Sequence, residues 1–316
     1  MIKQPMVILT GPTAVGKTKL SLELAKRIGG EIISADSMQV YKGMDIGSAK
    51  IRPEEMQGIP HHLIDVLEPW EEFNVVVFQK KCRECMAGIF ERGHIPIVTG
   101  GTGFYIQALL RDIDFTENQE NPSYREHLER LAEEKGAEYL HRMLQEVDAA
   151  SAEAIHANNV KRVIRALEYY ELTGECISVH NEREKARESA YNSCYFVLND
   201  SREKLYRRIE ERIDEMLKEG LVEEVRRLRE SGCHKGMVSM QGLGYKEILS
   251  YLDGEISLEE AVYLLKRDTR HFAKRQLTWF RRERDVIWID KDRFLYDDEK
   301  MLEFMTEKLK AQAVIV

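Results

Sequence analysis

The sequence predicts an α/β protein: a parallel sheet flanked by helices, carrying a mostly helical insertion domain. Three observations support this. Over the first hundred residues, short apolar runs alternate with amphipathic segments, the pattern of a sheet covered by helices. A glycine-rich phosphate-binding pattern directly follows the first apolar run. From Asp114 to Ala190 the chain turns charged and helix-forming, and strand signals return only afterwards. The expected division is therefore 1–113 as the first part of the core, 114–190 as the insertion, and 191–316 as the return to the core.

Strands are expected at Met6–Leu9, Glu31–Ser34, Leu63–Val66 and Ile95–Val98, with a further core strand at Cys194–Leu198. Helices fit between them at Lys17–Ile28 and at Val75–Glu91, the latter stopped by Gly93. In the insertion, Asn121-Pro122 starts a helix that Gly136 ends, and Val160–Thr173 closes at Gly174. Asp200-Ser201-Arg202-Glu203 reads as a capping box for a helix ending at Gly220, and Ser257-Leu258-Glu259-Glu260 as another. The second box opens a helix reaching about Arg284, ~40 Å long at ~1.5 Å per residue. A plain helix around Glu299–Gln312 ends the chain.

Composition limits the class. Hydrophobic residues at 43% and charged residues at 32% describe a globular chain, and 316 residues can bury a substantial core. No apolar stretch approaches the ~20 residues a membrane span needs. The five cysteines (Cys82, Cys85, Cys176, Cys194, Cys233) are odd in number and scattered, which suits a reducing compartment, so a cytoplasmic protein is expected. Cys82 and Cys85 form a C-x-x-C without the second pair that a zinc site requires.

A net charge of −8 argues against a polyanionic partner, but its distribution argues the other way. Between Lys266 and Arg284 stand eight Lys or Arg against two acids. On a helical wheel Leu265, Phe272 and Trp279 share one sector, while Arg267, Arg270, Lys274 and Arg281 face away from it. An apolar seam opposite a one-sided cationic stripe suits a helix that packs on a core and presents charge to a polyanion.

Gly11-Pro12-Thr13-Ala14-Val15-Gly16-Lys17-Thr18 satisfies G-x-x-x-x-G-K-[ST] between a strand and a helix, which makes the core P-loop NTPase-like. Glycines let backbone N–H groups converge on phosphate oxygens, the helix N-terminus and Lys17 supply positive charge, and the Thr18 hydroxyl suits Mg²⁺. The motif leaves open whether a phosphoryl group is transferred or a diphosphate departs.

Asp36, just beyond the second expected strand, should face the ligand crevice of an open α/β sheet. There it suits a metal ligand, a general base or a helix N-cap. Gly100-Gly101-Thr102-Gly103 permits close approach of a ligand or another backbone. Arg212 borders the apolar stripe of Leu205, Ile209, Ile213 and Met216, with Arg208 one turn earlier; its partner is either a substrate phosphate or a carboxylate such as Glu211 or Glu215.

With these pieces in place the chain resembles the bacterial tRNA dimethylallyltransferases, also called tRNA isopentenyltransferases, over nearly its whole length. The resemblance rests on GPTAVGKT, DSMQVYKGMDIGSAK (Asp36–Lys50), PHHLIDV (Pro60–Val66), VTGGTGFY (Val98–Tyr105), GLGYKE (Gly242–Glu247) and KRQLTWFRR (Lys274–Arg282). The chain departs from the family pattern at Ala157-Asn158-Asn159, at Ser48 and at Gln241.

The resemblance implies a reaction in which N6 of adenosine 37 of tRNA displaces diphosphate from dimethylallyl diphosphate, with Mg²⁺ as cofactor held at Thr18. It implies Asp36 as general base, and Lys17, Thr18 and Arg212 as stabilisers of the leaving group. Ser37, Met38 and Gln39, with Asp36, match the stretch that holds the flipped adenine. Thr102 and Gly103 match the channel where RNA and donor meet. Arg125, Lys161, Arg162 and Arg165 match anticodon stem-loop contacts, as do Gln241, Gly242, Gly244, Tyr245 and Lys246, and Lys274, Arg275, Gln276, Trp279 and Arg281. A monomer with no membrane partner is expected. The rivals are a P-loop kinase of a small molecule or nucleotide, an adenylate isopentenyltransferase, and an RNA-binding regulator with an inactive P-loop.

Overall fold

Six strands lie in one sheet within residues 3–115 and 122–315, the residues that this computed structural model describes. They are β1 (Pro5–Thr10), β2 (Gly30–Ser34), β3 (His61–His62), β4 (Ile95–Gly100), β5 (Asn192–Asn199) and β6 (Val286–Asp290). Their order is β3-β2-β4-β1-β5-β6 and every neighbouring pair is parallel. β1 occupies the middle, with Val7 opposite Ile97 on one side and Cys194 on the other. Its residues Met6–Leu9 are fully buried, as the near-continuous apolar run of a strand covered on both faces requires. A parallel sheet brings the carboxyl ends of all its strands to one edge. That edge receives the P-loop after β1, Asp36 after β2, the glycine turn after β4, Asp200 after β5 and Lys291 after β6.

The chain divides into two compact units, one of residues 1–110 and 190–316 and one of residues 111–189. In the first, α1 (Lys17–Ile28) and α2 (Val75–Glu91) occupy the expected residues. α3 (Gly103–Leu110) follows the glycine turn. Buried Glu31 on β2 anchors the β2–β3–β4 region: it accepts from Arg92 at 2.8 and 2.7 Å and meets His62 and His94, each at 2.7 Å. The Arg92 guanidinium, helped by both imidazoles and opposed by burial, holds this carboxyl down at about 2.

The second unit is helical: α4 (Pro122–Lys135), α5 (Ala137–Val147), α6 (Ala149–Ala154), α7 (Val160–Thr173) and α8 (Ile177–Ala186). Leu128, Leu140, Leu144, Val163, Ile164 and Leu167 form its own core. Buried Asp148 joins two helix starts. Its carboxylate accepts from N and Oγ of Ser151 at 3.0 and 2.7 Å, and from N and Oγ of Ser178 at 3.0 and 2.7 Å. Burial pushes its pKa up, but these four donors outweigh that and leave it low. Gly174 closes α7 in the left-handed conformation, as expected; the expected cap Asn121 lies outside the described residues.

The remaining helices return to the first unit: α9 (Arg202–Glu219), α10 (Leu221–Glu230), α11 (Tyr245–Leu252), α12 (Leu258–Phe280) and α13 (Asp298–Ala311). Among the described residues no helix is long and apolar enough to cross a membrane.

Four expectations change. The third strand is His61–His62, not Leu63–Val66, because Leu63 and Asp65 take left-handed φ of 61° and 53° that no strand accommodates. The apolar side chains there serve a turn whose Val66 N–H bonds to Val40 O at 2.9 Å. The helix after Ser257 ends at Phe280 instead of about Arg284: Asp285 turns left-handed at φ 58° and sends the chain into β6, a strand absent from the expected set. The cap of α9 is Ser201, not Asp200. Ser201 Oγ accepts from Lys204 N at 3.4 Å, while Asp200 is buried and occupied elsewhere.

Candidate functional site

Two adjoining cavities open at the carboxyl edge of the sheet. The first, of about 490 Å³, is lined by the P-loop from Thr13 to Thr18, by the Thr99–Gly101 turn, and by Arg208 and Arg212 of α9. The second, of about 420 Å³, is walled mainly by apolar side chains including Phe73, Tyr105, Ile213, Met216, Leu265 and Phe272. Asp36 and Arg212 line both. The site thus has a phosphate-type end and an apolar end, with a carboxylate and a guanidinium at the junction.

At the phosphate end Lys17 begins α1, and its Nζ donates to the carbonyls of Gly11 and Pro12 at 3.0 and 2.9 Å. Burial, reinforced by the charge of Arg212 and opposed by Asp36, brings its pKa down to about 8. Burial also lowers the pKa of Arg212, while Asp36 and Glu215 counter it. An arginine stays charged regardless, so this is a strained cation that gains from an anion.

Asp36 is fixed by a local turn: its Oδ1 accepts from Met38 N at 2.8 Å and from Gln39 N at 3.4 Å. The residue is therefore both a backbone cap and a cavity wall. Ser37 and Met38 line the apolar end. The Gln39 amide is taken up internally, accepting from Ser34 Oγ at 3.0 Å and donating toward the carbonyls of Ser48 and Ala49.

The loop Asp45–Gly47 is held from below by buried Glu224 of α10, whose carboxylate accepts from N of Asp45, Ile46 and Gly47 at 2.9, 2.8 and 3.0 Å. Tyr245, expected at the RNA, is fully buried, and its hydroxyl donates to the same carboxylate at 2.8 Å. Gly242 packs on Met38, Gly244 has a left-handed φ of 93°, and Gln241, Gly242, Gly244 and Lys246 line the apolar cavity.

α12 contributes to both ends. Gln276 accepts from Thr13 N and donates to Gly101 O, both at 2.9 Å, so it ties the P-loop to the β4 turn. A Cβ on Gly101 would lie 2.1 Å from Gln276 Nε2, and one on Gly103 would lie 2.2 Å from the Trp279 ring, so a side chain at either position would displace these residues. Gln276 and Trp279 thus pack inward, Gln276 with its whole amide committed. Thr102 lines the apolar cavity.

The cationic stripe divides in two. Lys266 meets Asp214 at 2.6 Å, Arg267 meets Asp268 at 2.8 Å, and Arg270 meets Glu210 at 2.5 Å. Lys274, Arg275, Arg281, Arg282 and Arg284 are exposed, and none has a carboxylate partner among the described residues. The charge left without a carboxylate partner among the described residues belongs to the second half of the stripe. In the second unit Arg125 forks onto Glu168 at 2.8 and 2.7 Å, while Lys161, Arg162 and Arg165 lie exposed on α7.

Several wall residues escaped sequence reading. Ile213, Met216, Leu265 and Phe272 carry a helical apolar period and read as core; only the cavity distinguishes them. Lys291 follows the unanticipated β6 and donates to Val15 O at 3.4 Å.

A family profile described as IPP transferase matches residues 39–283, and one described as isopentenyl transferase matches residues 5–66. The chain is 61% identical over 308 residues to a tRNA dimethylallyltransferase of Lachnoclostridium phytofermentans, covering 96% of this chain and 98% of the relative. It is similar to the crystal structure of the full-length tRNA isopentenylpyrophosphate transferase of Bacillus halodurans, at TM-score 0.74 and 44% identity over 98% of each chain. It also matches a eukaryotic dimethylallyltransferase acting on tRNA, at TM-score 0.79 and 30% identity over 91% of this chain and 74% of that one.

Proposed function

The chain belongs to the IPP transferase family, and from that premise we propose that it transfers a dimethylallyl group from dimethylallyl diphosphate to N6 of adenosine 37 in tRNA, releasing diphosphate. It is an enzyme, a prenyltransferase that modifies tRNA. The observation that carries the finer reading is the junction: Asp36 and Arg212 border both the phosphate-type and the apolar cavity. An alkyl transfer from a diphosphate needs its leaving group at one end, its hydrocarbon at the other, and a base where they meet.

The adenine N6 lone pair is delocalised into the ring, so the amine gains nucleophilicity only as its proton leaves. Asp36, fixed by its bonds to Met38 N and Gln39 N, takes that proton as the C–N bond forms. Negative charge grows on the departing oxygen, where the P-loop amides, Lys17 and Arg212 stabilise it. A base buried in the anticodon stack must be turned out to reach Asp36. The unpaired cations of the second half of the stripe supply sequence-independent attraction for the RNA backbone.

The donor set fits Mg²⁺. The Thr18 hydroxyl, with Asp36, Glu211 and Glu215 in the same crevice, offers hard oxygen ligands, and this ion is ordinarily held by one or two such groups plus phosphate oxygens. Thr18 would hold it, and when bound it offsets charge on the diphosphate.

Incubation with the prenyl donor, Mg²⁺ and an unmodified anticodon stem-loop, followed by mass spectrometry of the nucleosides, should reveal prenylated adenosine. Phosphorylation of a small molecule in its place, or preferential transfer to free AMP, would overturn the proposal.

A further inference from the structure

Arg208 has no part in the reaction as described so far, yet it lines the phosphate cavity together with Gly16, Lys17 and Thr18. It sits four residues before Arg212 on α9, about one turn or ~6 Å along the helix axis. The two arginines differ in one respect. Arg212 borders both cavities, whereas Arg208 borders only the phosphate-type one.

Arg208 is held from behind. Buried Asp200, at the carboxyl end of β5, accepts from Arg208 Nη2, from Tyr296 Oη at 2.9 Å and from Ser201 N at 2.7 Å. A guanidinium carries five N–H donors, and the buried Nε of Arg208 meets no acceptor among the described residues. That Nε is closed off from the cavity, so what the protein offers an anion is the rest of the guanidinium: Arg208 lines the phosphate cavity while Asp200 takes an Nη2 donor from behind. Lys291 stands close by, with Nζ on Val15 O. Burial lowers the Lys291 pKa first and the charge of Arg208 lowers it further, so the two cations confront each other beside the P-loop.

We propose that Arg208, oriented by Asp200 and Tyr296, is a second diphosphate-binding guanidinium that takes the terminal phosphate of the leaving group. Arg212, at the junction, then serves the phosphate next to the reacting carbon. An arginine steered by a carboxylate behind it presents its remaining donors in a fixed fork matched to phosphate oxygens. Selectivity for a diphosphate over a monophosphate follows, since only the longer anion spans both arginines. This assignment rests on the reading of the P-loop cavity as a diphosphate site.

The test is calorimetric binding of inorganic diphosphate and of dimethylallyl monophosphate to the full chain with Mg²⁺. Arg208→Lys should weaken diphosphate binding by roughly tenfold to a hundredfold and leave monophosphate binding unchanged. Arg212→Lys should weaken both. Tyr296→Phe, which keeps every charge and removes only the hydroxyl behind Asp200, should show a smaller loss in the same direction. Equal weakening of both ligands by Arg208→Lys, or no change in either, would mean that Arg208 merely pairs with Asp200 and would overturn the proposal. A Tyr296→Phe protein that melts earlier but keeps its preference for diphosphate would count against the orienting role. A wild-type chain that binds neither ligand would overturn the diphosphate reading of the cavity, and this proposal with it.

Discussion

The two ends of the crevice are assembled by different means. The phosphate end is centred on one continuous segment, Gly11–Thr18, whose backbone amides and lysine act almost wherever a strand–loop–helix places them, and α9 and the β4 turn complete its wall. The apolar end draws on side chains from α3, α9, α12 and the loops around Met38, Phe73 and Leu243, far apart in the chain. A phosphate is recognised by charge and by directional N–H donors, which a short motif can supply. A hydrocarbon is recognised by shape and by exclusion of water, which only several packed elements can supply.

The largest expected effect lies where the ends meet. Asp36→Asn keeps a side-chain oxygen for Met38 N, so the turn should hold and both ends should still bind. The kcat for prenyl transfer should fall by roughly 10²–10⁴ with little change in KM for the donor. A single-turnover assay that finds chemistry unaffected would remove Asp36 as the base and leave it a structural cap.

A smaller effect separates the ends themselves. Phe272→Ala should raise KM for dimethylallyl diphosphate by about tenfold through lost apolar contact. Inhibition by inorganic diphosphate should change much less. Parallel losses in both measurements would show that Phe272, which borders both cavities, acts through the phosphate end instead.

The smallest effect is a pH dependence confined to the phosphate end. Lys17 has its pKa lowered to about 8 by burial, so it is charged below that pH and neutral above it. Only the charged form attracts diphosphate, so donor affinity should be full below the shifted pKa and decline as pH rises through it. KM for the donor should rise roughly fourfold between about pH 7 and 8.5, and Lys17→Met should abolish that slope.

The same division governs what could be read from the residues. Lys17–Ile28, Val75–Glu91 and Val160–Thr173 were legible because capping signals, apolar periods and terminal glycines agree with one another there. β3 was misplaced because Leu63, Ile64 and Val66 are apolar without being extended, and β6 is a short apolar run just past the expected end of the cationic helix, where no strand was assigned. In the cationic helix the sequence displays every charge but not which ones are spent. Glu210 and Asp214 reach Arg270 and Lys266 from α9, a pairing no spacing within α12 announces.

By itself the sequence determined the P-loop, the alternation that demands a parallel sheet, the position of Asp36 after β2 and the family to which these motifs point. Each depends on neighbours a few residues away, because phosphate binding by backbone amides and helix capping are local. Only packing settles that Tyr245 and Gln276 brace loops, that Glu224 holds the Asp45–Gly47 segment, and that Asp200 holds Arg208 at the wall of the phosphate cavity. The physical reason is that a side chain's role depends on which donors and acceptors surround it. For these residues the partners come from distant parts of the chain, brought together only by the packed sheet and helices.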